Sequence, residues 1–267
     1  MKKSFLLAAV LACCTTHVYA ADNNNWGYSG HQGPENWSSL TADNFACSGK
    51  NQSPINLTGF IESELKPIKF SYQTGGNVII NNGHTIQVNY EQGSRIELDG
   101  QAFNLLQVHF HAPSENHING HSYPLEAHFV HASKQGDLAV VAVMYEEGTP
   151  KTVLEVHTDE FRDKVVVAVM SPQDKMLEKL WEVMPTAAGT KHELKARVNV
   201  DKLLPKHRDY YRFNGSLTTP PCSEGVRWLV MKEVVTVSKE QINAFEAVLH
   251  EPNNRPLQPI NARPVLQ

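Results

Sequence analysis

Six short segments rich in β-branched and aromatic residues follow one another through the first half of the chain. They span residues 77–80, 85–90, 95–98, 105–110, 125–131 and 138–145, and Asn, Gly or Pro stands at many of their boundaries. Such segments favour β-strands, and Asn82-Gly83, between the first two, is typical of a tight turn. The sequence therefore predicts a mainly β fold with a large central twisted sheet, mostly antiparallel.

Two segments in the second half carry apolar residues at helical spacing. Met176, Leu177 and Leu180 share a face within residues 172–183, and Ser171 precedes that segment as a candidate N-cap. Residues 238–249 begin with Ser-x-x-Gln, which is a capping box. We expect two peripheral helices and a single domain, because no internal repeat, low-complexity tract or long linker divides the chain.

The N-terminus has the pattern of an export signal. Lys2 and Lys3 precede an apolar run over residues 5–14, and Val18-Tyr19-Ala20 then matches a cleavage site. The apolar run is much shorter than the ~20 residues that a membrane-spanning helix needs. We therefore expect a signal peptide at residues 1–20.

Residues 21–267 form the expected mature domain. A lipoprotein signal at Cys13 is an alternative, but the bulky Leu11 does not fit its pattern. No later segment is apolar enough to cross a bilayer.

The chain has a formal net charge of −4 and no dense Lys/Arg patch interleaved with aromatic residues. We expect a periplasmic or secreted protein with no nucleic-acid partner and no membrane partner.

The cysteine count agrees with export. Cys13 and Cys14 leave with the signal peptide, so that Cys47 and Cys222 remain. Two cysteines in an exported chain predict one disulfide. It would close a loop of 175 residues, which is worth on the order of 5 kcal/mol in the chain-entropy model. Two free thiols are the alternative, which an oxidising compartment disfavours.

The chain holds 13 histidines, and most stand among polar or loop residues. We expect surface positions for His31, His157, His192, His207 and His250. His117 and His121 have the spacing of a two-ligand metal site on a helix. Pro113, Asn119-Gly120 and Pro124 argue against a helix there, and therefore against a metalloprotease site.

A second histidine pattern fits a strand. In Gln107-Val108-His109-Phe110-His111 the two histidines share one face, because successive side chains of a strand alternate. Glu126-Ala127-His128-Phe129-Val130 offers a third histidine, and three neutral imidazoles with an open fourth position are typical of catalytic zinc. Gln107 and Glu126 lie on the same faces and can orient the imidazoles. Ordinary core histidines are the alternative, and we expect that role for His131, which falls on the opposite face.

Seven short motifs are distributed from Trp26 to Arg255-Pro256. They are Trp26-Gly27-Tyr28, Asn51-Gln52-Ser53-Pro54-Ile55-Asn56, Asn81-Asn82-Gly83-His84, Gln107-Val108-His109-Phe110-His111, Glu126-Ala127-His128-Phe129-Val130-His131, Gly215-Ser216-Leu217-Thr218-Thr219-Pro220-Pro221 and Asn253-Asn254-Arg255-Pro256. As an ordered set they resemble the alpha-class carbonic anhydrases over nearly the whole mature chain. The resemblance implies the single-domain central sheet of that family.

The resemblance also implies a zinc site. The implied ligands of Zn²⁺ are His109, His111 and His128. The implied hydrogen-bond partners of those ligands are Gln107, Glu126 and the carbonyl of Asn253. Carbonic anhydrase is itself the standard example of zinc lowering the pKa of a bound water towards neutrality.

Three residues are implied to be catalytic: His84, Glu115 and Thr218. If Thr218 donates its one hydroxyl proton to Glu115, its oxygen can only accept from a zinc-bound hydroxide. The backbone N–H of Thr218 would support charge on a carbon dioxide oxygen. His84 is implied to be the proton shuttle, with an unperturbed pKa of ~6.5 close to neutrality. Residues implied to order the connecting waters are Tyr28, Asn82 and Gln87.

The implied substrate pocket is partly apolar. Its residues are Thr218, Thr219, Val130, Val140, Leu217 and Trp228. Plain core is the alternative for the four apolar members. Three features depart from many members of the family: four positions separate His111 from Glu115, Phe213 stands where a Tyr is common, and Gln87 stands where an Asn is common.

The expected function is the reversible hydration of carbon dioxide to bicarbonate and a proton by a zinc-bound hydroxide. A zinc-less carbonic-anhydrase-like binding module is the alternative, but such proteins lack at least one metal histidine. Hydrolysis of esters is a third function that the same site would support. Exported members often form dimers, which leaves a homodimer open.

Overall fold

The computed structural model describes residues 26–73, 75–149, 153–158, 164–249 and 251–267, and for residues 153–158, 164–169 and 195–197 it describes the backbone alone. The strands in these ranges are β1 Asn56–Leu57, β2 Lys69–Ser71, β3 Gly76–Asn81, β4 Ile86–Tyr90, β5 Arg95–Leu98, β6 Gln101–His111, β7 His117–Ile118, β8 Leu125–Ala132, β9 Leu138–Glu147, β10 Val153–Thr158, β11 Lys164–Val169, β12 Lys191–Val198, β13 Tyr210–Ser216, β14 Glu224–Met231 and β15 Val235–Val237. The helices are α1 Trp37–Leu40, α2 Pro172–Glu182 and α3 Lys239–Leu249, with short 3-10 turns at Gly30–Gln32, Ala42–Ser48 and Val200–Leu203.

One 11-stranded sheet dominates the described part of the chain. Its main path runs β12-β3-β4-β6-β8-β9-β14-β13; in addition β5 pairs with β6, β2 with β5, and β15 with β9. Neighbouring strands are antiparallel, except that β9 is parallel to β14 and β15. The predicted large, mostly antiparallel sheet and its six predicted strands are therefore confirmed.

The sheet is larger than predicted. β6 begins at Gln101, because the two-residue loop Asp99-Gly100 has positive φ at both positions (51° and 81°) and closes a hairpin between β5 and β6. β12 to β15 were not among the predicted strands, although β12 alternates charged residues with His192, Leu194, Ala196 and Val198, which is a period of two. β1 pairs with β7, and β10 with β11, in separate two-stranded sheets.

The two faces of β6 and β8 enter different apolar clusters. Val108, Phe110 and Phe129 lie in the larger cluster, which also takes in buried residues of α2 and α3. Val130 lies on the opposite face, in a smaller cluster with Val140 and Trp228 of the neighbouring strands. Because apolar clusters pack against both faces of these strands, the backbone that carries the histidines is held rigidly.

The predicted helices are present with their caps. The Ser171 hydroxyl accepts a hydrogen bond from the Asp174 N–H at the start of α2. At the start of α3, the Ser238 hydroxyl accepts from the Gln241 N–H at 3.2 Å, and the Ser238 N–H donates to the Gln241 side chain at 3.4 Å. The capping box of residues 238–241 is therefore formed. None of the helices in the described residues is long and apolar enough to span a membrane.

A disulfide joins Cys47 to Cys222, as predicted, with an S–S distance of 2.03 Å. Cys47 lies in the 3-10 turn Ala42–Ser48 and Cys222 lies between β13 and β14. The bond therefore connects the N-terminal part of the chain to the loop that contains Thr218.

Candidate metal centre

Strand register brings three histidines together. β6 and β8 are antiparallel, and His109 is the direct Cα partner of His128. His111 lies two residues further along β6 and so shares the face of His109. One ring nitrogen from each of the three histidines lies within 4.8 Å of the others. His111 and His128 are buried and His109 is half-buried, so the cluster opens to one side.

Hydrogen bonds fix which nitrogen of each β6 histidine faces the cluster. His109 Nδ1 donates to Gln107 Oε1 at 2.8 Å, and His111 Nδ1 donates to the carbonyl oxygen of Asn253 at 2.7 Å. Because both partners are acceptors, each imidazole carries its proton on Nδ1 and keeps a lone pair on Nε2. Both rings are thus held in the tautomer that a metal ion needs.

The third histidine is held the other way round. His128 Nε2 donates to Glu126 Oε1 at 2.8 Å, which leaves the lone pair on Nδ1. Glu126 is itself fully engaged: Oε1 accepts from the Asn116 side-chain amide at 2.8 Å, and Oε2 accepts from the backbone N–H groups of Glu115 and Asn116 at 2.7 and 2.9 Å. Burial raises the pKa of Glu126, and these donors lower it in part.

Burial keeps the histidines neutral. It lowers the pKa of His109, with a further decrease from the neighbouring His111 and His128. Burial is also the largest cause of the lowered pKa of His111 and of His128. Neutral imidazole is the form that binds a metal ion.

Two buried polar atoms at the cluster have no hydrogen-bond partner among the described residues. They are His111 Nε2 and Glu115 Oε2, which lie 3.5 Å apart. Glu115 Oε2 also lies 3.9 Å from His128 Nδ1. An imidazole lone pair without a donor at this position fits a metal ion, and three imidazoles without a thiolate fit zinc with an open fourth position.

Glu115 and Thr218 meet beside the histidines. Glu115 Oε1 accepts from the backbone N–H of Arg255 at 2.9 Å. Burial raises the pKa of Glu115, while Arg255 and the nearby Thr218 hydroxyl lower it. The Thr218 hydroxyl is thus close to this carboxylate, although Oε2 forms no hydrogen bond of ordinary geometry. Thr218 itself is buried.

One row of residues across the sheet gives the centre an apolar side. Val130 on β8 is the Cα partner of Val140 on β9, Val140 is the partner of Trp228 on β14, and Trp228 is the partner of Phe213 on β13. Trp228 lies edge-on to His128, with ring centroids 4.9 Å apart. Leu217 packs against the same cluster. Phe213, which stands where many family members have a Tyr, stacks on Trp228 with ring centroids 5.8 Å apart. This contact is apolar and needs no hydroxyl.

His84 lies against an aromatic group from the N-terminal segment. Its ring stacks on Trp26, with centroids 3.7 Å apart and planes 9° from parallel, and Tyr28 lies edge-on to it at 6.4 Å. Burial lowers the pKa of His84, and the charge of Glu251 raises it in part. The backbone carbonyl of His84 accepts from the Asn253 side chain at 2.9 Å, which ties this loop to the residue that orients His111.

Asn82 and Gln87 make local hydrogen bonds. Asn82 Oδ1 accepts from the backbone N–H groups of His84 and Thr85, both at 2.9 Å, and so shapes the predicted turn. Gln87 Nε2 donates to Asn89 Oδ1 at 2.6 Å, and Gln87 is the Cα partner of His109. Thr219 is half-buried in the loop after β13.

Three residues important for this geometry had no role predicted from sequence. Asn116 binds Glu126, while Arg255 and Gln52 bind each other across 203 positions, from Arg255 Nη1 to Gln52 Oε1 at 2.8 Å. Gln52 and Arg255 belong to motifs of the family resemblance, which is the one sequence feature that marks them. Their contacts are too distant along the chain for a local pattern to indicate.

The remaining histidines agree with the predictions wherever the structure describes them. His131 is buried; its Nδ1 donates to the Ala139 carbonyl at 3.2 Å and its Nε2 lies 2.6 Å from the Tyr72 hydroxyl. His117 belongs to the short strand β7, so no helix joins it to His121. The exposed histidines of the predicted surface group are His31, His192 and His207. The side chains of His157 and His250 lie outside the described residues.

The fold and the three-histidine cluster define a single-domain β protein with a candidate metal site on its central sheet. A family model described as eukaryotic-type carbonic anhydrase matches residues 32–267. The chain is 42% identical to a carbonic anhydrase of Pectobacterium atrosepticum, covering all of both chains. It is 43% identical to a carbonic anhydrase of Neisseria gonorrhoeae, covering 98% of this chain and 96% of the relative.

A solved structure shows the same relationship. It is the alpha-carbonic anhydrase of Thermovibrio ammonificans in complex with the inhibitor sulfanilamide, which is 44% identical, has a TM-score of 0.81 and covers 91% of this chain and 99% of that chain. The chain therefore belongs to the eukaryotic-type, or alpha-class, carbonic anhydrase family. Its activity is that of a carbonic anhydrase, with carbon dioxide and bicarbonate as substrates.

Proposed function

We propose that the chain binds one zinc ion through His109, His111 and His128 and uses it to interconvert carbon dioxide and bicarbonate. The observation that carries the proposal is the convergence of three imidazole nitrogens within 4.8 Å, each ring held by an acceptor on its other nitrogen. A zinc ion held by three neutral ligands would lower the pKa of a coordinated water and so supply hydroxide near neutral pH.

Glu115 and Thr218 would orient the nucleophile. A hydroxyl has one proton, so a Thr218 hydroxyl that donates to the Glu115 carboxylate can only accept on its other side. The nucleophilic hydroxide would then donate a hydrogen bond to the Thr218 oxygen, keep its proton, and direct a lone pair at the substrate. The backbone N–H of Thr218 would stabilise the negative charge that builds on the substrate oxygen. The fixed position of Glu115, held by the Arg255 N–H, supports this role.

The apolar row would hold carbon dioxide. Val130, Val140 and Trp228 offer no hydrogen bond to water from their aliphatic and ring surfaces, and the indole N–H of Trp228 already donates to the Ser216 carbonyl at 3.0 Å. A small apolar substrate is therefore favoured over water on that side. Leu217 and Thr219 complete this pocket beside Thr218.

His84 would carry the proton out of the site. It is half-buried, so its imidazole keeps access to solvent, and its ring stacks on Trp26 of the N-terminal segment. Tyr28, Asn82 and Gln87 would order the waters between His84 and the cluster. Asn82 Oδ1 is already used by the turn, so we assign the water contact to its Nδ2.

Export, to the periplasm or by secretion, completes the proposal. The disulfide between Cys47 and Cys222 is typical of an oxidising compartment. The signal peptide at residues 1–20 stays a prediction, because those residues lie outside the described ranges.

Stopped-flow measurement of carbon dioxide hydration tests the proposal with a matched pair of histidine variants. His128→Ala removes one proposed ligand, whereas His121→Ala removes an exposed histidine that the cluster does not use. We expect His128→Ala to lose zinc and hydration activity together, and His121→Ala to keep both. An active His128→Ala protein, or a wild-type protein without hydration activity, would contradict the proposal.

A further inference from the structure

Arg255 is a buried cation that none of the proposed catalytic steps uses. It is only 2% exposed, although a guanidinium is costly to remove from water. The guanidinium of Arg255 lies over the indole ring of Trp37, with 5.4 Å from Cζ to the ring centroid. Burial lowers the pKa of Arg255 to about 10, so the group is still protonated at neutral pH. A charge kept in such a place needs a structural or functional reason.

The side chain of Arg255 binds one short segment of the chain. Nη1 donates to Gln52 Oε1 and to the Ser53 carbonyl, both at 2.8 Å, and Nη2 donates to the Cys47 carbonyl at 3.0 Å. All three acceptors belong to residues 47–53. The planar guanidinium fork therefore fixes this segment at three points.

Residues 47–53 in turn hold both ends of the Thr218 loop. Before Thr218, Ser53 and Ser216 exchange two hydrogen bonds, from the Ser53 N–H to Ser216 Oγ at 2.9 Å and from the Ser216 N–H to Ser53 Oγ at 3.1 Å. After Thr218, the Gln52 side chain donates to the Cys222 carbonyl at 3.1 Å, next to the disulfide. The position of Thr218 therefore depends on a segment that Arg255 fixes.

The backbone of the same residue holds Glu115. The Arg255 N–H donates to Glu115 Oε1 at 2.9 Å, and this bond directs Oε2 towards His111. Glu115 and Thr218, the two residues proposed to orient the nucleophile, are thus both attached to Arg255: Glu115 through the Arg255 backbone, and Thr218 through the Arg255 side chain.

We propose that Arg255 is a positioning residue that sets the distance between the Glu115 carboxylate and the Thr218 hydroxyl. This inference rests on the proposed roles of Glu115 and Thr218. The guanidinium acts by geometry: three acceptors on two nitrogens require the planar fork, which the single ammonium of a lysine does not reproduce. A misplacement of the pair by about 1 Å is enough to lower catalysis by roughly 10²-fold.

Arg255→Lys tests the proposal, with Arg263→Lys as the matched control. Arg263 also makes three hydrogen bonds to backbone carbonyls, at Ile260, Pro259 and Asn214, but binds neither Glu115 nor residues 47–53. We expect Arg255→Lys to keep one zinc ion and to lower kcat/KM for carbon dioxide roughly 10- to 100-fold. Arg263→Lys is expected to change kcat/KM less than about twofold, as for a surface substitution.

A double-mutant cycle separates positioning from a general effect on structure. If Arg255 acts through the pair, Arg255→Lys has less than about a twofold effect on kcat/KM when Thr218 is already Ala. An equal effect in both backgrounds, or unchanged kcat/KM in a zinc-loaded Arg255→Lys protein, overturns the inference. Failure of the proposed function would differ, because Thr218→Ala alone would then have no effect.

A second variant gives the same test if Arg255→Lys does not fold. Gln52→Met removes one of the two acceptors of Arg255 Nη1, and also the donor to the Cys222 carbonyl, at similar volume. We expect it to lower kcat/KM in the same direction and to lose that effect in the Thr218→Ala background. A zinc-loaded Gln52→Met protein with unchanged kcat/KM counts against the inference.

Discussion

Replacing Glu126 with Gln is expected to lower both the zinc affinity of the protein and the free energy of unfolding of the apoprotein. Glu126 accepts four hydrogen bonds at 2.7 to 2.9 Å, two on each carboxylate oxygen, and is wholly buried. Glutamine has the same shape, but one of its two terminal groups is an NH₂ that only donates. Either orientation of the amide therefore places donors against donors.

The magnitude follows from the two orientations. If the amide oxygen faces His128, the NH₂ opposes the backbone N–H groups of Glu115 and Asn116. These two backbone donors are then unsatisfied, and so is the NH₂ itself. The two backbone donors alone, at ~1–3 kcal/mol each, lower the free energy of unfolding by about 2–6 kcal/mol. If the amide is reversed, the NH₂ faces His128 Nε2 and favours the tautomer with its proton on Nδ1, which blocks the ligand position.

We expect zinc affinity to fall about 10- to 100-fold, as for other partners of metal-bound histidines. Competition with a chelator measures the affinity, and urea unfolding of the apoprotein measures the stability. Glu97→Gln is the control, since Glu97 forms an exposed ion pair with Lys69 at 2.7 Å. That control is expected to lose at most about 1 kcal/mol. Wild-type zinc affinity and stability in Glu126→Gln would refute this account of the histidine partners.

Three further outcomes are expected. Replacing Cys47 and Cys222 by Ala frees a 175-residue loop and lowers the free energy of unfolding by on the order of 5 kcal/mol, seen in urea melts of oxidised wild type against the variant. Burial lowers the pKa of His131 to about 4, from 6.5. As the pH falls, the unfolded chain is protonated at this residue before the folded chain, so the free energy of unfolding falls by about 2.5 kcal/mol from pH 7 to 4.5. His131→Asn is expected to lose this part of the pH dependence in urea melts, and an unchanged dependence would contradict the prediction. His84→Ala is expected to lower kcat at least about tenfold in dilute buffer but not kcat/KM, with recovery on adding imidazole; an unchanged kcat would remove the shuttle role.

Local periodicity was sufficient to predict the strands that carry the metal cluster. The alternation in Gln107-Val108-His109-Phe110-His111 placed the first two histidines and Gln107 on one face, and the observed hydrogen bond between Gln107 and His109 agrees with it. Glu126 and His128 follow the same rule on β8. A period of two is a local property, so it can be recognised without knowledge of the sheet order.

The rest of the site depends on contacts between distant parts of the chain. The Asn253 carbonyl meets His111 across 142 positions, and a backbone carbonyl has no side-chain pattern that marks it. It was predicted only through the family resemblance. The guanidinium of Arg255 reaches residues more than 200 positions away. Such contacts require the register of the whole sheet and the course of its loops.

Titration of the apoprotein with zinc tests the central claim most directly. Zinc is removed with a chelator and added back in known amounts, and carbon dioxide hydration is measured by stopped flow at each step. If His109, His111 and His128 form the one catalytic metal centre, activity rises linearly and stops at one equivalent of zinc, and the His128→Ala protein stays inactive throughout. Full activity in the metal-free protein, or a zinc-dependent rise that is the same in His128→Ala, would contradict the account.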